Sequence, residues 1–360
     1  MPKPHVTVLL DTYNHERFIE EAIVSVLEQD FAQAETEIVA VDDGSTDRTP
    51  EIIRKFAPRV RLLHKANGGQ ASAFNAGIRE ARGEIVAFLD GDDWWAKNKL
   101  SRVVSVLDQH PEIGFVGHGN ISVYLDGRAS YETLREGHRF RANTTRGALL
   151  FRVRKNFLGT SRMTIRAGIL RKIGSVPEAL RIQADEFLFT LAAVLCDVEV
   201  LPDALTYYRL HDSNLFMIDR QHPERMRIKQ FVLDVLAKYL AKQLAVFEVD
   251  SGAIDIIVES VQTEADQLRL MLDGGFPWET VRTEFKIQGI LSRQATRAQR
   301  LFRFARILPA VLMPPRWYYQ WRCEIGQSAL YQQARAKYLP IPQPPHVQRV
   351  AAVGQGMNSK

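Results

Sequence analysis

Four short apolar runs alternate with helix-forming stretches before residue 94. HVTVLLD, EIVAVDD, VRLLHKA and EIVAFLDGDD are rich in Val, Ile and Leu and read as buried strands. Between them, ERFIEEAIVSVLEQD sets Phe18, Ile19, Ala22, Ile23, Val26 and Leu27 at helical spacing. STDRTPEIIRKFA offers Ser45, Thr46 or Asp47 as a cap and Pro50 in a first turn. GGQASAFNAGIREARG is a small-residue helix that stops at Gly83. Strands this apolar, joined by helices, specify an α/β fold with a mostly parallel sheet covered on both faces.

Ligands of such sheets bind outside the carboxyl ends of the strands. Three of those ends are polar in the same way: Asp11-Thr12-Tyr13-Asn14, Asp42-Asp43-Gly44-Ser45 and Asp90-Gly91-Asp92-Asp93. A parallel sheet gathers them along one rim. Acids there can hold a divalent cation, accept hydrogen bonds from a ribose or base, or be solvated turn residues. A cation is the usual way to hold like charges so close together. The dinucleotide fingerprint is absent, because DTYNHERF follows the first strand without a glycine, and so is the P-loop. NGGQ, residues 67–70, opens a helix and could lay N–H groups on a phosphate.

In order and spacing, VTVLLDTYNHERFIEEAIVSVLEQ, IVAVDDGSTDRT, NGGQASAFNAGI and GEIVAFLDGDDWW resemble the inverting glycosyltransferases of family 2, which have the GT-A fold. The likeness is strong over residues 5–125 and looser over 150–215. It implies a nucleotide-sugar donor, with Tyr13 and Asp43 meeting a base, usually uracil. Asp90 and Asp92 match the family's Asp-x-Asp element: Asp90 would lie near the ribose, and Asp92 would bind Mn2+ or Mg2+ on the diphosphate. Thr12, Asn14, Glu16, Asn67, Gly69 and Asn75 complete the implied donor set. Asp93 has no assigned role, and Asp11 stands where the family usually has proline.

The same resemblance extends to the second half of the domain. IQADEFLFTLAAVL, residues 182–195, carries Asp185 and Glu186 at a helix start. They are either acids complementing the helix dipole or the general base, with Asp185 first and Glu186 second. In LTYYRLHDSNL, Tyr207, Arg209 and His211 share one face of an extended segment. The family pattern makes Arg209 a charge clamp on the donor and His211 a metal or phosphate partner. NFLGTSRMTIRAGIL, residues 156–170, reads as a strand region lining the acceptor pocket. Trp94 and Trp95 are either core or a stacking face for a sugar.

A chain of 360 residues accommodates a large domain with an appendage. The expected divisions are 1–220 for the catalytic domain, split at 125/126 into donor and acceptor halves, and 221–292 for helices. A basic, aromatic segment spans 293–338, and a disordered tail spans 339–360. The net charge of +5 hides an asymmetry: residues 287–360 carry eleven Lys or Arg against one acid. In ATRAQRLFRFARILPAVLMPPRWYYQWRCEIG, Arg297, Arg300, Arg303 and Arg306 recur every third residue among apolar ones. This segment, 295–325, suits a membrane surface, packing on the catalytic domain, or nucleic acid, which no recognised fold accompanies. The preceding helices could pair with each other or form a homodimer. Cys196 and Cys323 match no metal spacing and suggest a reducing compartment. No signal peptide precedes VTVLL, and no apolar run reaches the roughly 18 residues of a membrane span.

The expected activity is metal-dependent, inverting sugar transfer from a nucleoside diphosphate, UDP first, to a hydroxyl of a cell-envelope glycan or lipid-linked acceptor. The expected location is the cytoplasmic face of the membrane. The alternative is a scaffold that kept the fold and lost catalysis; a nucleotidyltransferase would want a glycine-rich basic loop after the first strand.

Overall fold

The computed structural model describes residues 4–211, 222–292, 296–305, 307–327 and 348–349. They form two compact units: Met1–Arg141, Val153–Asn214 and Pro344–Lys360 in one, Ala142–Arg152 and Leu215–Gln343 in the other.

In the first unit, β1 (Val6–Thr12), β2 (Thr36–Asp42), β3 (Val60–His64) and β4 (Ile85–Asp90) run parallel in the order β4-β1-β2-β3. Helices α1 (Ile19–Leu27), α2 (Thr49–Arg54) and α3 (Gln70–Glu80) connect them. The chain leaves β1 toward β2 and β3, then returns to add β4 on the other side. Strand order therefore reverses at β1, and a crevice opens at the carboxyl ends of β1 and β4. One sheet face buries Val8, Leu10, Ala40, Ala87 and Leu89 with Ile19 and Ile23 of α1 and Leu100, Val103 and Leu107 of α4 (Lys99–Gln109). Phe88 of β4 meets Phe74 of α3 edge-on at 5.3 Å. Burial on both faces explains why these strands read as continuous apolar runs.

The remaining strands are β5 (Trp94–Trp95), β6 (Ile113–Tyr124), β7 (Arg128–Glu132), β8 (His138–Phe140), β9 (Thr164–Arg166) and β10 (Asp197–Leu210). β9 inserts antiparallel between β4 and β6, so residues 160–162, just before it, reach the end of β4. β10 pairs with β6 through three register shifts. Beyond the last of them Thr206 and Tyr207 pair with β5, which turns Arg209 and His211 toward the β4 end. Helices α6 (Ala167–Ile173) and α7 (Ala184–Leu195) belong to this unit, whereas α5 (Thr145–Arg154) falls in the second except for its last two residues.

Two positions of α3 and its cap are held by the segment that precedes α7. Gly69, at φ +84°, caps the helix where any Cβ would lie 2.7 Å from Arg181 Cα, and the Arg181 carbonyl accepts the Gln70 N–H at 2.9 Å. Asn75 is buried and uses both ends of its amide on Val176, donating to its carbonyl and accepting its N–H at 2.8 Å each.

The second unit is helical: α8 (Pro223–Leu244), α9 (Ser251–Asp273), α10 (Pro277–Leu291), α11 (Arg297–Ala305) and α12 (Pro315–Gln327). It also takes in residues 142–152, which the expected divisions assign to the acceptor half. Asp250 accepts the Thr145 N–H at 3.0 Å, and its own N–H donates to the Asn143 carbonyl. In RWYYQWR, Tyr318 and Tyr319 are buried with Leu270, Ile307 and Ala310, and Arg322 pairs with buried Glu284. Trp317 stays exposed. Arg306 and residues 328–338 lie outside the described residues, as does the 339–360 tail except Gln348–Arg349, which forms β11 against β7.

Asn75→Ala would strand two buried backbone groups, each at a cost of about 1–3 kcal/mol. The expected result is a lowered Tm in thermal unfolding, with nucleotide affinity of the folded protein unchanged.

Candidate functional site

β1 and β4 pair in register, so Asp11 stands beside Asp90. The Asp11 carbonyl accepts the Gly91 N–H at 2.8 Å, which fixes the turn that carries Asp92 and Asp93. A side chain at position 91 would meet Thr12 Oγ1 at 2.5 Å and His15 Nδ1 at 2.8 Å, so only glycine lets β1 approach this turn. Asp90, Asp92 and Asp93 each offer one oxygen within 4.8 Å of the others.

Three segments converge on this turn. Ser161 accepts the Asp90 N–H at 3.1 Å and donates to Asp93 Oδ2 at 2.6 Å. The Arg209 N–H donates to Asp93 Oδ1 at 3.0 Å, and Arg209 Nε donates to the Asp92 carbonyl at 2.9 Å. His211 Nε2 lies 3.1 Å from Asp92 Oδ2, and His15 Nε2 lies 3.9 Å from the same oxygen. Asp185, in the first turn of α7, is partly exposed and accepts N–H groups of Thr160 and Glu186. Glu186 is buried and pairs with Lys155 at 2.7 Å.

The tryptophans are both held by protein. Trp95 is buried, donates to the Ser161 carbonyl and lies under Lys99 Nζ, 3.5 Å from its ring centre. Trp94 stacks on Tyr207 at 5.0 Å and carries the Arg209 guanidinium 4.4 Å from its ring centre.

The donor-side residues divide. Tyr13 is exposed at the rim. Thr12 is buried, with Oγ1 3.1 Å from His15 Nδ1. Asn14 ties the first two strand ends together, giving its N–H to Ser45 Oγ and accepting the Thr46 N–H. Glu16 pairs with Arg48 at 3.1 Å. Asp43 accepts the Gly68 and Gly69 N–H groups and the Lys65 ammonium. The N–H groups of NGGQ therefore point at a carboxylate of the protein itself. Asn67 joins the Asp43 carbonyl to Arg181, and Asn75 serves Val176. Asp43, Asn67 and Gly69 are thus tied to one another and to Arg181, and both ends of the Asn75 amide are taken up by Val176.

His15 and Ser161 carry no motif that marks them. His15 lies inside the first motif without being singled out by it, and Ser161 lies in the 156–170 segment, whose sequence names no ligand.

Electrostatics of the cluster follow from crowding. Burial, then the charges of Asp11, Asp92, Asp93 and Asp185, hold Asp90 well above the usual carboxylate range. Burial and Asp92 raise Asp93 to about 8. Burial and the Glu186 charge raise Asp185. Asp92 goes the other way: burial opposes it, but the His211 hydrogen bond and neighbouring His15 outweigh that, and its carboxyl is held down. Oxygens bound to one cation at about 2.0–2.6 Å are at most about 4–5 Å apart, which the three carboxylates satisfy. Beside them Asp11, whose Oδ1 is buried, is held well above the usual carboxylate range by burial and then by the charges of Asp92 and Asp185, with a side-chain hydrogen bond to Asp90.

Residues 7–174 match the model of glycosyl transferase family 2. This segment belongs to that family. The chain is 35% identical over 219 residues to an uncharacterized glycosyltransferase of Nostoc sp., covering 59% of this chain and 66% of that one. It spans only 34% of a second curated relative. Among solved structures, Staphylococcus aureus TarS 1–349 in complex with UDP-GlcNAc superposes with a TM-score of 0.60 at 21% identity, over 88% of this chain and 91% of that one. A mannosyltransferase of Pyrobaculum calidifontis in complex with GDP-Man and Mn2+ gives 0.52 at 22% identity, over 94% and 88%. The fold is that of GT-A glycosyltransferases.

An Asp93 carboxyl near 8 keeps a proton that the unfolded chain releases near 4. Between those values the folded state binds more protons, so the cation-free protein loses stability as pH rises from about 4 to about 8. Thermal unfolding in chelator across that range checks this. Asp93→Asn should flatten the slope.

Proposed function

We propose that this chain is an inverting glycosyltransferase that transfers a sugar from a UDP-linked donor to an acceptor hydroxyl. One observation carries the reading: Asp90, Asp92 and Asp93 converge at the strand-order reversal, with the raised carboxyl of Asp185 close enough to push up that of Asp90. The UDP-GlcNAc complex of one fold neighbour supports the nucleotide, and the GDP-Man complex of another makes GDP the next to try.

Asp90 and Asp92 would hold Mn2+ or Mg2+, with His211 orienting Asp92 or joining it as a ligand. A divalent cation there supplies Lewis-acid neutralisation of the departing diphosphate. Tyr13 and the Asp43 loop flank the base. Arg209, fixed by the Asp92 carbonyl, the Trp94 ring and an ion pair with Glu21, would stand beside the diphosphate, with its charge shared between Glu21 and the donor. Asp185 takes the acceptor proton as the acceptor oxygen bonds to the anomeric carbon and the opposite carbon–oxygen bond to the diphosphate breaks, inverting the centre. A carboxyl raised by burial is a stronger base than an ordinary one. Glu186, neutralised by Lys155, positions the start of α7 instead.

Calorimetric titration with UDP tests the donor site. Binding is expected with Mn2+ and lost with chelator. Asp92→Ala should abolish transfer with the fold intact, and retained activity would sink the cation assignment. Asp185→Asn should lower kcat about 10²–10⁴-fold while UDP affinity holds.

We further infer that the second unit rests on an anionic bilayer, which suits a lipid-linked or cell-envelope acceptor and a cytoplasmic donor pool. Leu308, Val311, Leu312 and Trp317 are exposed, Leu312 to 87%, and Arg297, Arg300 and Arg316 are exposed around them in sequence. No helix among the described residues is long and apolar enough to cross a membrane. Each basic residue at such a surface contributes about 1 kcal/mol. The protein should co-sediment with phosphatidylglycerol vesicles, less so at high salt. Leu312→Glu with Trp317→Glu should weaken this at least tenfold, and equal sedimentation of that variant would overturn the reading.

A further inference from the structure

Thr160–Arg162 form one short turn before β9 that reaches several parts of the crevice. The Thr160 N–H donates to Asp185 Oδ2 at 3.3 Å. Ser161 donates to Asp93 and accepts the Asp90 N–H. Arg162 is half-buried, and its two terminal nitrogens face different ways. Nη1 donates to Asn120 Oδ1 at 2.8 Å and lies 3.6 Å from Glu132 Oε2, which ties it to β6 and β7. Nη2 borders Gly159. A Cβ on Gly159 would lie 2.9 Å from that nitrogen and 3.6 Å from Asp185 Oδ2. The guanidinium and the carboxyl therefore face one small space, which a side chain at 159 would fill. One oxygen hydrogen-bonded to both groups would hold them up to about 6 Å apart, a span that the two Gly159 distances allow.

Charge suits the same space. Asp185 is crowded by acids: Glu186 on its own helix, and Asp11 and Asp90 at the ends of β1 and β4. Lys155 offsets Glu186. Burial and then Glu186 raise the Asp185 carboxyl, and the Arg162 charge acts against them, favouring the ionised form that can accept a proton. Ser122 and Glu132, on β6 and β7, continue the polar surface beyond Arg162.

We propose that Arg162 and Asp185 bracket the attacking oxygen. Arg162 Nη2 donates a hydrogen bond to one of its lone pairs, and Asp185 takes its proton. The other lone pair bonds to the anomeric carbon as the carbon–oxygen bond to the diphosphate breaks. The oxygen is that of a sugar or polyol hydroxyl, or of water when no acceptor is present. The inference rests on the reading of Asp185 as the base, and it names the group that orients what Asp185 deprotonates.

The test uses the full-length protein with UDP-GlcNAc, GDP-Man and Mn2+, with water as the acceptor. Arg162→Lys keeps the charge and a link to Asn120 and Glu132 but loses the second arm. Its hydrolysis kcat should fall about tenfold or more, with Tm and calorimetric UDP affinity as in wild type. Arg162→Gln also loses the charge. NMR titration of isotope-labelled aspartate carboxyls in the metal-free protein, with Asp185 assigned from Asp185→Asn, reads that loss. The Asp185 midpoint should rise by about one pH unit in Arg162→Gln and stay near wild type in Arg162→Lys. Wild-type kcat in Arg162→Lys would overturn the bracketing role, as would an Asp185 midpoint unmoved in Arg162→Gln. Weakened UDP binding by Arg162→Lys would put Arg162 on the donor side and overturn it too. Full hydrolysis by Asp185→Asn, or none by wild type with either donor, would instead remove the reading of Asp185 or of the enzyme on which the proposal stands.

Discussion

Asp11 and Asp90 lie side by side at the ends of two adjacent parallel strands, and Asp92, Asp93 and Asp185 point into the same crevice. Water solvates such charges poorly once the strands and helices close around them, and mutual repulsion adds to that cost. The rest of the site is arranged to contain it. Ser161 and the Arg209 backbone donate to Asp93, His211 Nε2 lies within hydrogen-bond distance of Asp92, and Gly91 lets β1 come close enough to hold the turn.

That containment depends on long-range topology. Ser161 reaches Asp90 because β9 inserts beside β4, and Arg209 and His211 arrive because β10 slips register before pairing with β5. Asp185 joins because the segment before α7 is anchored to α3, through Val176 on Asn75, Arg181 on Gln70, and the Ala184 N–H on the Gln70 side chain. A residue such as Asn75 therefore ties α3 to the segment that carries Asp185.

Much of this was legible in the chain. Continuous apolar strands alternating with helices required a parallel sheet, and a parallel sheet collects its strand ends on one rim. Asp90, Asp92 and Asp93 were visible for that reason, whereas Asp185 stood out only through the family resemblance, since acids at a helix start also complement the helix dipole. Composition does not separate ligands from scaffolding among Asn, Gly and Asp near a rim, because the same groups serve either role. Asp43 binding the NGGQ amides is the clearest case: an acid and a set of N–H groups, each suited to a ligand, satisfy each other. Trp94 and Trp95 took protein partners in the same way. In the helical unit, RWYYQWR divided between a buried tyrosine pair and an exposed Trp317, which periodicity could not foresee.

Local sequence thus determined which segments became strands and helices, and hence that acids would line one edge, because burial and backbone pairing act over short stretches. Only the tertiary structure decided which of those acids meet. The strand-order reversal at β1, the insertion of β9 and the slipped register of β10 bring together residues up to 200 positions apart, from Asp11 to His211. Their mutual repulsion, and the partners that offset it, exist only once the chain has folded.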